Sequence, residues 1–308
     1  MARLLVVGAG ATGAYFGARL LQAGNDVAFL VRPRRREVLR ERGLRIVSAE
    51  RTEVLHPELL VAGELSGAYD AILLSVKAAA LPAAIEDFAP AVGPEPGIIP
   101  FLNGMAHLDV LNDRFGSGAV LGGVVKVVTF VDENGDIRQL APLADMVIGE
   151  QSGQQTPRLA ALARDFGSAG FPFATSDRIV TEMWHKWVFI ASAGAITTLL
   201  HGNIGEIAAV PGGADFATEV VSEAAAVSAA AGHPMTGQEF ATTRGLLTAH
   251  DSAFAPSFYR DLSRGLPTEV EHVFADLVLR GEKLGVETPL LKLATINLRV
   301  HQNRVLAA

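Results

Sequence analysis

The sequence contains no cysteine among its 308 residues. This absence excludes disulfide bonds, thiolate nucleophiles, and zinc or iron–sulfur sites with cysteine ligands. It also fits a reducing compartment, where proteins do not depend on disulfides. Histidine is sparse as well, with eight residues. Lysine is therefore a serious candidate for any proton transfer that the protein performs.

A general excess of basic residues and a long apolar run are also missing. The net charge of −7 gives no sign of a nucleic-acid partner, which usually requires a basic face. The longest apolar stretches, such as residues 187–200, are shorter than the roughly 20 residues that cross a membrane. The N-terminal residues lack a signal-peptide pattern. The sequence therefore predicts a cytoplasmic protein with no nucleic-acid, membrane or metal partner.

The order of apolar segments predicts two domains, residues 1–177 and 178–308. In the first, short apolar runs alternate with helical segments, which is typical of a doubly wound parallel α/β sheet. The expected elements are strands over 4–7, 26–31, 71–76, 98–102 and 171–174 and helices over 14–23, 81–88 and 157–166. A β-branched stretch over 120–131, a turn at 132–135 and a second strand from Ile137 predict a hairpin added to the sheet edge.

The second half of the chain has alanine-rich helical patterns and no strand signals, so we expect an all-α domain. The expected helices cover residues 216–231, 239–248, 268–284 and 289–305. Their length and apolar character predict a homodimer.

A glycine-rich turn links the first predicted strand to the first helix. Gly8, Gly10 and Gly13 match the G-x-G-x-x-G pattern, with Ala11 and Thr12 between them. Gly8 permits a tight turn, Gly10 lets a pyrophosphate approach the backbone, and Gly13 lets the helix pack closely on the strand. The helix N-terminus attracts phosphate groups. The pattern predicts a dinucleotide site, and the alternative is a structural turn that binds nothing.

Arg32 follows the second predicted strand, where an NAD-binding protein usually carries Asp or Glu for the ribose 2′-hydroxyl. A guanidinium pairs instead with a 2′-phosphate. Arg34, Arg35 and Arg36 follow in the sequence. We therefore expect NADPH as the cofactor. The alternative is a solvated basic start of a helix.

Lys186 lies at the predicted start of an otherwise apolar helix, beside Trp187, Val188 and Phe189. A charge in such surroundings is costly unless it meets a partner or a cleft. Lys186 is therefore a candidate proton donor for a carbonyl that is being reduced. Alternatively, its stem lies along the apolar surface while the amine reaches water.

Across essentially its full length the chain resembles the ketopantoate reductase family, the NADP-dependent 2-dehydropantoate 2-reductases. The resemblance rests on motifs that occur in the family's order and spacing: Gly8-x-Gly10-x-x-Gly13, Arg32, Lys77 in Leu74-Ser75-Val76-Lys77, Asn103 in Leu102-Asn103-Gly104-Met105, Trp184-x-Lys186, and Ser257 twelve residues before Glu269.

The resemblance implies a Rossmann domain followed by a helical domain like that of 6-phosphogluconate dehydrogenase, with the substrate in an interdomain cleft. It implies that Lys186 is the general acid and that Glu269 positions Lys186 or tunes its charge. Asn103 would bind the substrate or the nicotinamide ribose, Lys77 the cofactor, and Ser257 the substrate carboxylate or hydroxyl.

Each of these residues also has an ordinary structural interpretation. Glu269 would favour the first turn of a helix, Asn103-Gly104 would form a turn, and Ser257 would cap a helix. Trp184 and Trp187 are expected as core or cleft residues, and His185 has no identifiable partner. His107, Glu133 and Asp136 are expected at the surface.

Four positions depart from the family's polar substrate pocket: Ile190, Gly194, Ile204 and Phe274. Asn203, beside Ile204, is a possible substitute only if its side chain faces the same way. We therefore expect reduction of a 2-oxo acid, either 2-dehydropantoate on the way to pantothenate or a branched or aryl relative. Alternatives are a dehydrogenase of another 2-hydroxy acid and a non-catalytic NADPH-binding regulator. Asparagines introduced at 190 and 194 are expected to shift preference toward ketopantoate.

Overall fold

The computed structural model of the chain describes residues 2–307, which form two compact units. The first unit runs to Leu102 and continues from His107 to Val180, and the second joins Asn103–Ala106 to the chain from Thr181 onward. The predicted domain limits, 1–177 and 178–308, stay a prediction.

The first unit mixes strands and helices. Its strands are β1 (Arg3–Val7), β2 (Asp26–Leu30), β3 (Leu44–Val47), β4 (Thr52–Leu55), β5 (Glu58–Leu60), β6 (Tyr69–Leu74), β7 (Val92–Pro100), β8 (Leu121–Val131), β9 (Ile137–Glu150) and β10 (Phe173–Thr175). Its helices are α1 (Ala11–Gln22), α2 (Pro33–Arg42), α3 (Leu81–Phe88), α4 (Ala106–Phe115) and α5 (Pro157–Phe166).

A parallel sheet with the order β5-β2-β1-β6-β7 confirms the predicted doubly wound architecture. Residues 4–7 of β1 are all buried, as expected for a parallel strand covered on both faces. The chain leaves β1 toward β2 on one side and later returns to β6 on the other. The carboxyl ends of β1 and β6 therefore flank the point where strand order reverses, which is where such sheets bind ligands.

The predicted hairpin forms, but its place in the fold was predicted wrongly. β8 and β9 pair antiparallel within a second sheet of order β10-β9-β3-β4, and an isolated bridge from Val120 to Ile98 joins the start of the hairpin to the parallel sheet. The reason is the length of β9, which also pairs with β3 and β10. The short strands β3, β4 and β5 were not predicted, because their apolar pattern is broken by charged residues.

One hydrophobic core joins α1 to both sheets. Phe16 on α1 is fully buried, and its ring centroid lies 5.0 Å from that of Phe171 and 5.9 Å from that of Phe101. This packing fixes the N-terminus of α1 over the carboxyl end of β1.

The second unit is helical, as predicted. Its elements are α6 (Ile179–Leu200, which begins two residues before the unit), α7 (Ile204–Ala208), α8 (Gly213–Ala230), α9 (Gly237–Leu247), α10 (Ser257–Ser263), a π-helical turn (Glu271–Ala275), α11 (Asp276–Lys283) and α12 (Pro289–Ala307). The π turn was not predicted, because its widened hydrogen bonding leaves no distinct sequence pattern. No helix among the described residues is long and apolar enough to cross a membrane. The homodimer stays a prediction.

Candidate active site

The glycine-rich turn lies at the carboxyl end of β1, directly beside the end of β6. The Gly8 N–H donates to the Leu30 carbonyl at 3.0 Å, and the Ser75 N–H donates to the Val7 carbonyl at 2.9 Å. These bonds hold the turn at the reversal point of the parallel sheet.

The three glycines of the motif meet different surroundings. Gly8 has φ +94°, and a Cβ there would lie 2.8 Å from the Ser75 carbonyl oxygen. A Cβ on Gly13 would collide with the Gly8 carbonyl oxygen and lie 2.8 Å from the Ser75 Cβ. A Cβ on Gly10 would have no neighbour within 4 Å. Gly8 and Gly13 are thus required by packing, while Gly10 faces open space.

The start of α1 fits a phosphate group. Gly10 is the N-cap residue and has no side chain to cap the helix, and the first turn, which starts at Ala11 and Thr12, carries no acidic residue. Its backbone N–H groups and the positive end of the helix dipole therefore remain available to an anion. Open space at Gly10 and these donors suit the pyrophosphate of a nicotinamide dinucleotide.

The arginines after β2 have separate tasks. Arg36 forms an ion pair with Glu64 at 2.7 Å. Arg35 points inward and donates to the Ala9 carbonyl at 3.1 Å, and burial lowers the pKa of its guanidinium. Arg32 is exposed at the N-cap of α2 and has no ion pair with the described residues. Arg32 therefore stays the candidate for a 2′-phosphate.

Two ionisable residues, His107 and Asp136, were expected at the surface but are buried. His107 is 4% exposed, and Asp136 is 7% exposed. Asp136 forms ion pairs with Arg42 and Arg45, each at 3.2 Å. Asp136 thus neutralises Arg42 at the end of α2 and Arg45 on β3, and these contacts join residues that are far apart in the sequence.

Lys77 and Asn103 follow β6 and β7. Lys77 is exposed and is the N-cap residue of a short 3₁₀ turn (Ala78–Ala80). Asn103 is half-buried and precedes Gly104, whose φ is +80°. A Cβ on Gly104 would collide with the His272 carbonyl oxygen in the π turn. The Asn-Gly pair therefore lies in a bend of the chain that is held by close packing, and the role of Asn103 stays a prediction.

Lys186 lies about two turns inside α6, not at its start, because the helix begins already at Ile179. The lysine is half-buried, while Trp184 and Trp187 are buried, as expected for core residues. The Trp187 Nε1–H donates to the Val273 carbonyl at 2.8 Å. This bond places the lysine's helix beside the π turn.

Glu269 and Glu271 occupy different environments at that turn. Glu269 is half-buried, and its carbonyl accepts the Val273 N–H at 3.1 Å. The Glu271 carboxylate pairs with Arg299 at 2.6 Å, and the hydrogen bond from Arg299 lowers the pKa of Glu271. Since α12 already engages Glu271, Glu269 stays the acidic candidate near the lysine's helix.

Two of the residues that depart from the family's polar pocket, Gly194 and Phe274, lie next to each other. A Cβ on Gly194 would lie 2.7 Å from the Phe274 ring, which is fully buried. The Phe274 ring meets Phe258 edge to face, with centroids 5.1 Å apart. Phe274 therefore fills the volume that a side chain at 194 would need.

Ser257 is the first residue of α10 and is exposed. The N-cap residue of this helix is Pro256, so the alternative prediction that Ser257 caps the helix is wrong.

Two further polar residues have structural partners. Asn203 accepts the Glu206 N–H at 2.9 Å in a capping box at the start of α7, while Ile204 is fully buried. His185, which has no evident partner in the sequence, lies 3.7 Å from the Glu239 carboxylate. Its other ring nitrogen lies 3.3 Å from the carbonyl of His233. The Asn203 side chain thus caps α7.

A phosphate-ready turn on a doubly wound sheet and a half-buried lysine in a helical unit define a class, the nicotinamide-dependent oxidoreductases. Within that class the chain belongs to the ketopantoate reductase PanE/ApbA family. The family's model matches residues 4–153, and the model of its C-terminal part matches residues 178–302. The resemblance found in the sequence is thereby confirmed, as is the oxidoreductase activity on a CH–OH group that it implied.

Relatives match along nearly the whole chain. The uncharacterized oxidoreductase YkpB of Bacillus subtilis (strain 168) is 34% identical over 97% of this chain and 99% of its own length. A 2-dehydropantoate 2-reductase of Mesorhizobium japonicum is 26% identical, covering 94% of each chain. The crystal structure of a 2-dehydropantoate 2-reductase from Geobacter metallireducens GS-15 superposes with a TM-score of 0.87 at 26% identity, over 97% of this chain and 99% of that one.

Proposed function

We propose that this protein uses NADPH to reduce a 2-oxo acid with a branched or aromatic apolar side chain to the 2-hydroxy acid. The observation that carries the proposal is Lys186, a half-buried lysine on the helix that packs against the π turn. A lysine kept in such surroundings by a member of an oxidoreductase family supports a role in proton transfer.

The choice of NADPH is supported by the end of β2. Arg32 is exposed there, at the same sheet edge as the glycine-rich turn, and no carboxylate takes its place. A guanidinium gains two parallel hydrogen bonds from a 2′-phosphate, while NADH offers it only a hydroxyl. Lys77, exposed after β6, adds a second positive charge at that edge.

The proposed chemistry assigns one task to each side chain. When bound, NADPH supplies the hydride that adds to the substrate's carbonyl carbon. Lys186 donates a proton to the carbonyl oxygen as negative charge develops there, and water then restores the ammonium. The Glu269 carboxylate keeps Lys186 charged and oriented. Asn103 and Ser257 hydrogen-bond the substrate.

The substrate class follows from what α6 lacks. Ile190 and Gly194 lie one and two turns beyond Lys186, and neither has a hydrogen-bonding side chain. Phe274 fills the volume next to Gly194. A site built to bind a substrate hydroxyl strongly rejects analogues that lack it, whereas an apolar site has no such demand. This favours an apolar 2-oxo acid over ketopantoate, whose side chain carries a hydroxyl.

The test is a panel of 2-oxo acids with NADPH, in which cofactor oxidation is followed by absorbance. We expect the highest kcat/KM with a branched or aryl substrate. Lys186→Ala should lower kcat by roughly 10²–10⁴-fold, with NADPH affinity retained. Glu269→Gln should lower kcat about tenfold or more, because the lysine loses its negative neighbour.

Lys283→Ala is the matched control, since Lys283 is an exposed lysine of the same unit. It should leave kcat unchanged. Turnover that survives Lys186→Ala would remove the lysine from the mechanism. Preference for ketopantoate would refute the substrate class, and a lack of turnover with every 2-oxo acid would refute the reaction.

A further inference from the structure

Arg35, the third arginine of the run after β2, is turned toward the glycine-rich turn. Its Nε–H donates to the Ala9 carbonyl at 3.1 Å, and its Nη1 donates to the Gly135 carbonyl at 2.8 Å. We propose that Arg35 is a positioning residue for the dinucleotide's pyrophosphate, and that it acts by fixing the direction of the backbone donor at Gly10. The proposal rests on dinucleotide binding by that turn, which is part of the proposed function.

The geometry of one peptide group links Arg35 to the phosphates. The Ala9 carbonyl and the Gly10 N–H belong to the same peptide bond, and in a trans peptide they point in opposite directions. When Arg35 holds the carbonyl, the Gly10 N–H is directed away from Arg35. Gly10 also faces open space, with no atom within 4 Å of an ideal Cβ. The fixed carbonyl thus keeps a backbone donor available where a phosphate would lie.

The other end of Arg35 is attached to a rigid turn. Asp132 accepts the N–H groups of Asn134 and Asp136, each at 3.0 Å, which orders the link between β8 and β9. Gly135 has φ +82°, and a Cβ there would lie only 2.6 Å from the Arg35 Nη1. The glycine therefore admits the guanidinium, and the hairpin turn holds it in place behind the glycine-rich turn.

The charge of Arg35 suits the same role. The Asp136 carboxylate attracts this guanidinium, but Asp136 is already paired with Arg42 and Arg45, each at 3.2 Å. The next residue, Arg36, is instead paired with Glu64 at 2.7 Å. A partly buried cation whose neighbouring carboxylate is shared with two other arginines strengthens the attraction of a nearby turn for an anion. The pyrophosphate would supply further negative charge beside Arg35.

The proposal differs measurably from a 2′-phosphate contact. The pyrophosphate is common to NADPH and NADH, so loss of Arg35 must weaken both alike. In the full-length protein, we expect Arg35→Met to raise the Kd of NADPH and of NADH by the same factor, about tenfold. Arg35→Lys retains the charge but cannot hold both carbonyls, and a smaller increase of roughly threefold is expected. Arg32→Ala should raise the Kd of NADPH only.

Titrations by protein fluorescence supply these Kd values without any substrate. Arg36→Met is the matched control and should leave both Kd values unchanged. If Arg35→Met does not fold, as judged by thermal unfolding without ligand, Arg35→Lys carries the test. Unchanged Kd values, or a loss restricted to NADPH, would overturn the proposal.

A double-mutant cycle separates positioning from general damage. Gly135→Ala places a methyl group against Arg35 and should weaken both cofactors, but it should have little further effect in the Arg35→Met background. Full additivity of the two changes would contradict the mechanism. If the unmodified chain binds NADPH but reduces no 2-oxo acid, the proposed reaction fails while the role of Arg35 stands. If it binds neither cofactor, both proposals fail.

Discussion

The glycine-rich turn of the first unit and the neighbourhood of Lys186 in the second are built on different principles. The turn depends on backbone: Gly8 and Gly13 are fixed by contacts with Ser75 and with the turn itself. The region around Lys186 depends on side chains, and there Phe274 has taken the volume next to Gly194. Backbone geometry tolerates almost no substitution, whereas a side-chain pocket can be repacked with coordinated changes.

This difference explains why the sequence identifies the class of cofactor more readily than the substrate. A dinucleotide presents the same phosphates to every protein that binds it, so the glycine spacing is constrained. Substrate selection changes whenever a polar side chain is exchanged for an apolar one. The family therefore identifies the chemistry, while the residues that differ from its pattern carry the information about the substrate.

Of the changes that compare the two regions, Gly10→Ala is expected to have the largest effect, and it contrasts with Gly13→Ala. Gly10→Ala should raise the Kd of NADPH about 100-fold, since the new methyl group enters the space proposed for the pyrophosphate. Thermal stability should not change, because outside its neighbours in the chain no protein atom lies within 4 Å of that Cβ. Gly13→Ala should instead destabilise the fold by about 1–3 kcal/mol, measured by urea unfolding. Equal loss of stability in both variants would contradict this division.

The linked departures in the second unit provide the next test. Gly194→Asn should cost about 1–3 kcal/mol of folding free energy, because its side chain collides with the Phe274 ring. In a Phe274→Leu background, the same change should cost clearly less, which gives a measurable coupling energy. The matched readout is kcat/KM for ketopantoate, which should rise only in the combined variant. Asparagines at 190 and 194 alone should therefore not shift preference toward ketopantoate. If the changes in unfolding free energy at 194 and 274 are additive, the proposed packing link between these two residues is wrong.

The sequence predicted the parallel sheet, α5 and most of the helical unit, because apolar periodicity and glycine or proline boundaries are local signals. It did not predict the second sheet, whose strand β9 pairs with the adjacent β8 and also with two distant segments, β3 and β10. The glycine-rich turn, Arg32 and Lys77 follow β1, β2 and β6, which are neighbours in the parallel sheet, and their functional roles stay predictions. The contact of Gly194 with Phe274 and the inward orientation of Arg35 could not be predicted from the sequence, since both depend on residues far apart in the chain.

Arg32→Ala tests the cofactor side of the comparison. We expect about a tenfold increase in KM for NADPH and little change for NADH, because a charge-assisted hydrogen bond to the 2′-phosphate is lost. Arg34→Ala, an exposed arginine of the same run, is the matched control. Equal increases for the two cofactors would show that Arg32 does not distinguish them.

The smallest effect is expected at Glu271, and it sharpens the contrast with Glu269. Glu271 and Arg299 form an exposed pair whose hydrogen bond lowers the pKa of the carboxyl group. A lowered carboxyl pKa stabilises the fold above the unfolded-state value, and the contribution is lost as pH falls through the folded-state value. Glu271→Gln should therefore reduce stability by less than about 1 kcal/mol at neutral pH, and by progressively less in acid. Urea unfolding at several pH values measures this, and kcat should stay unchanged. A large loss of kcat would instead assign the catalytic carboxylate to Glu271.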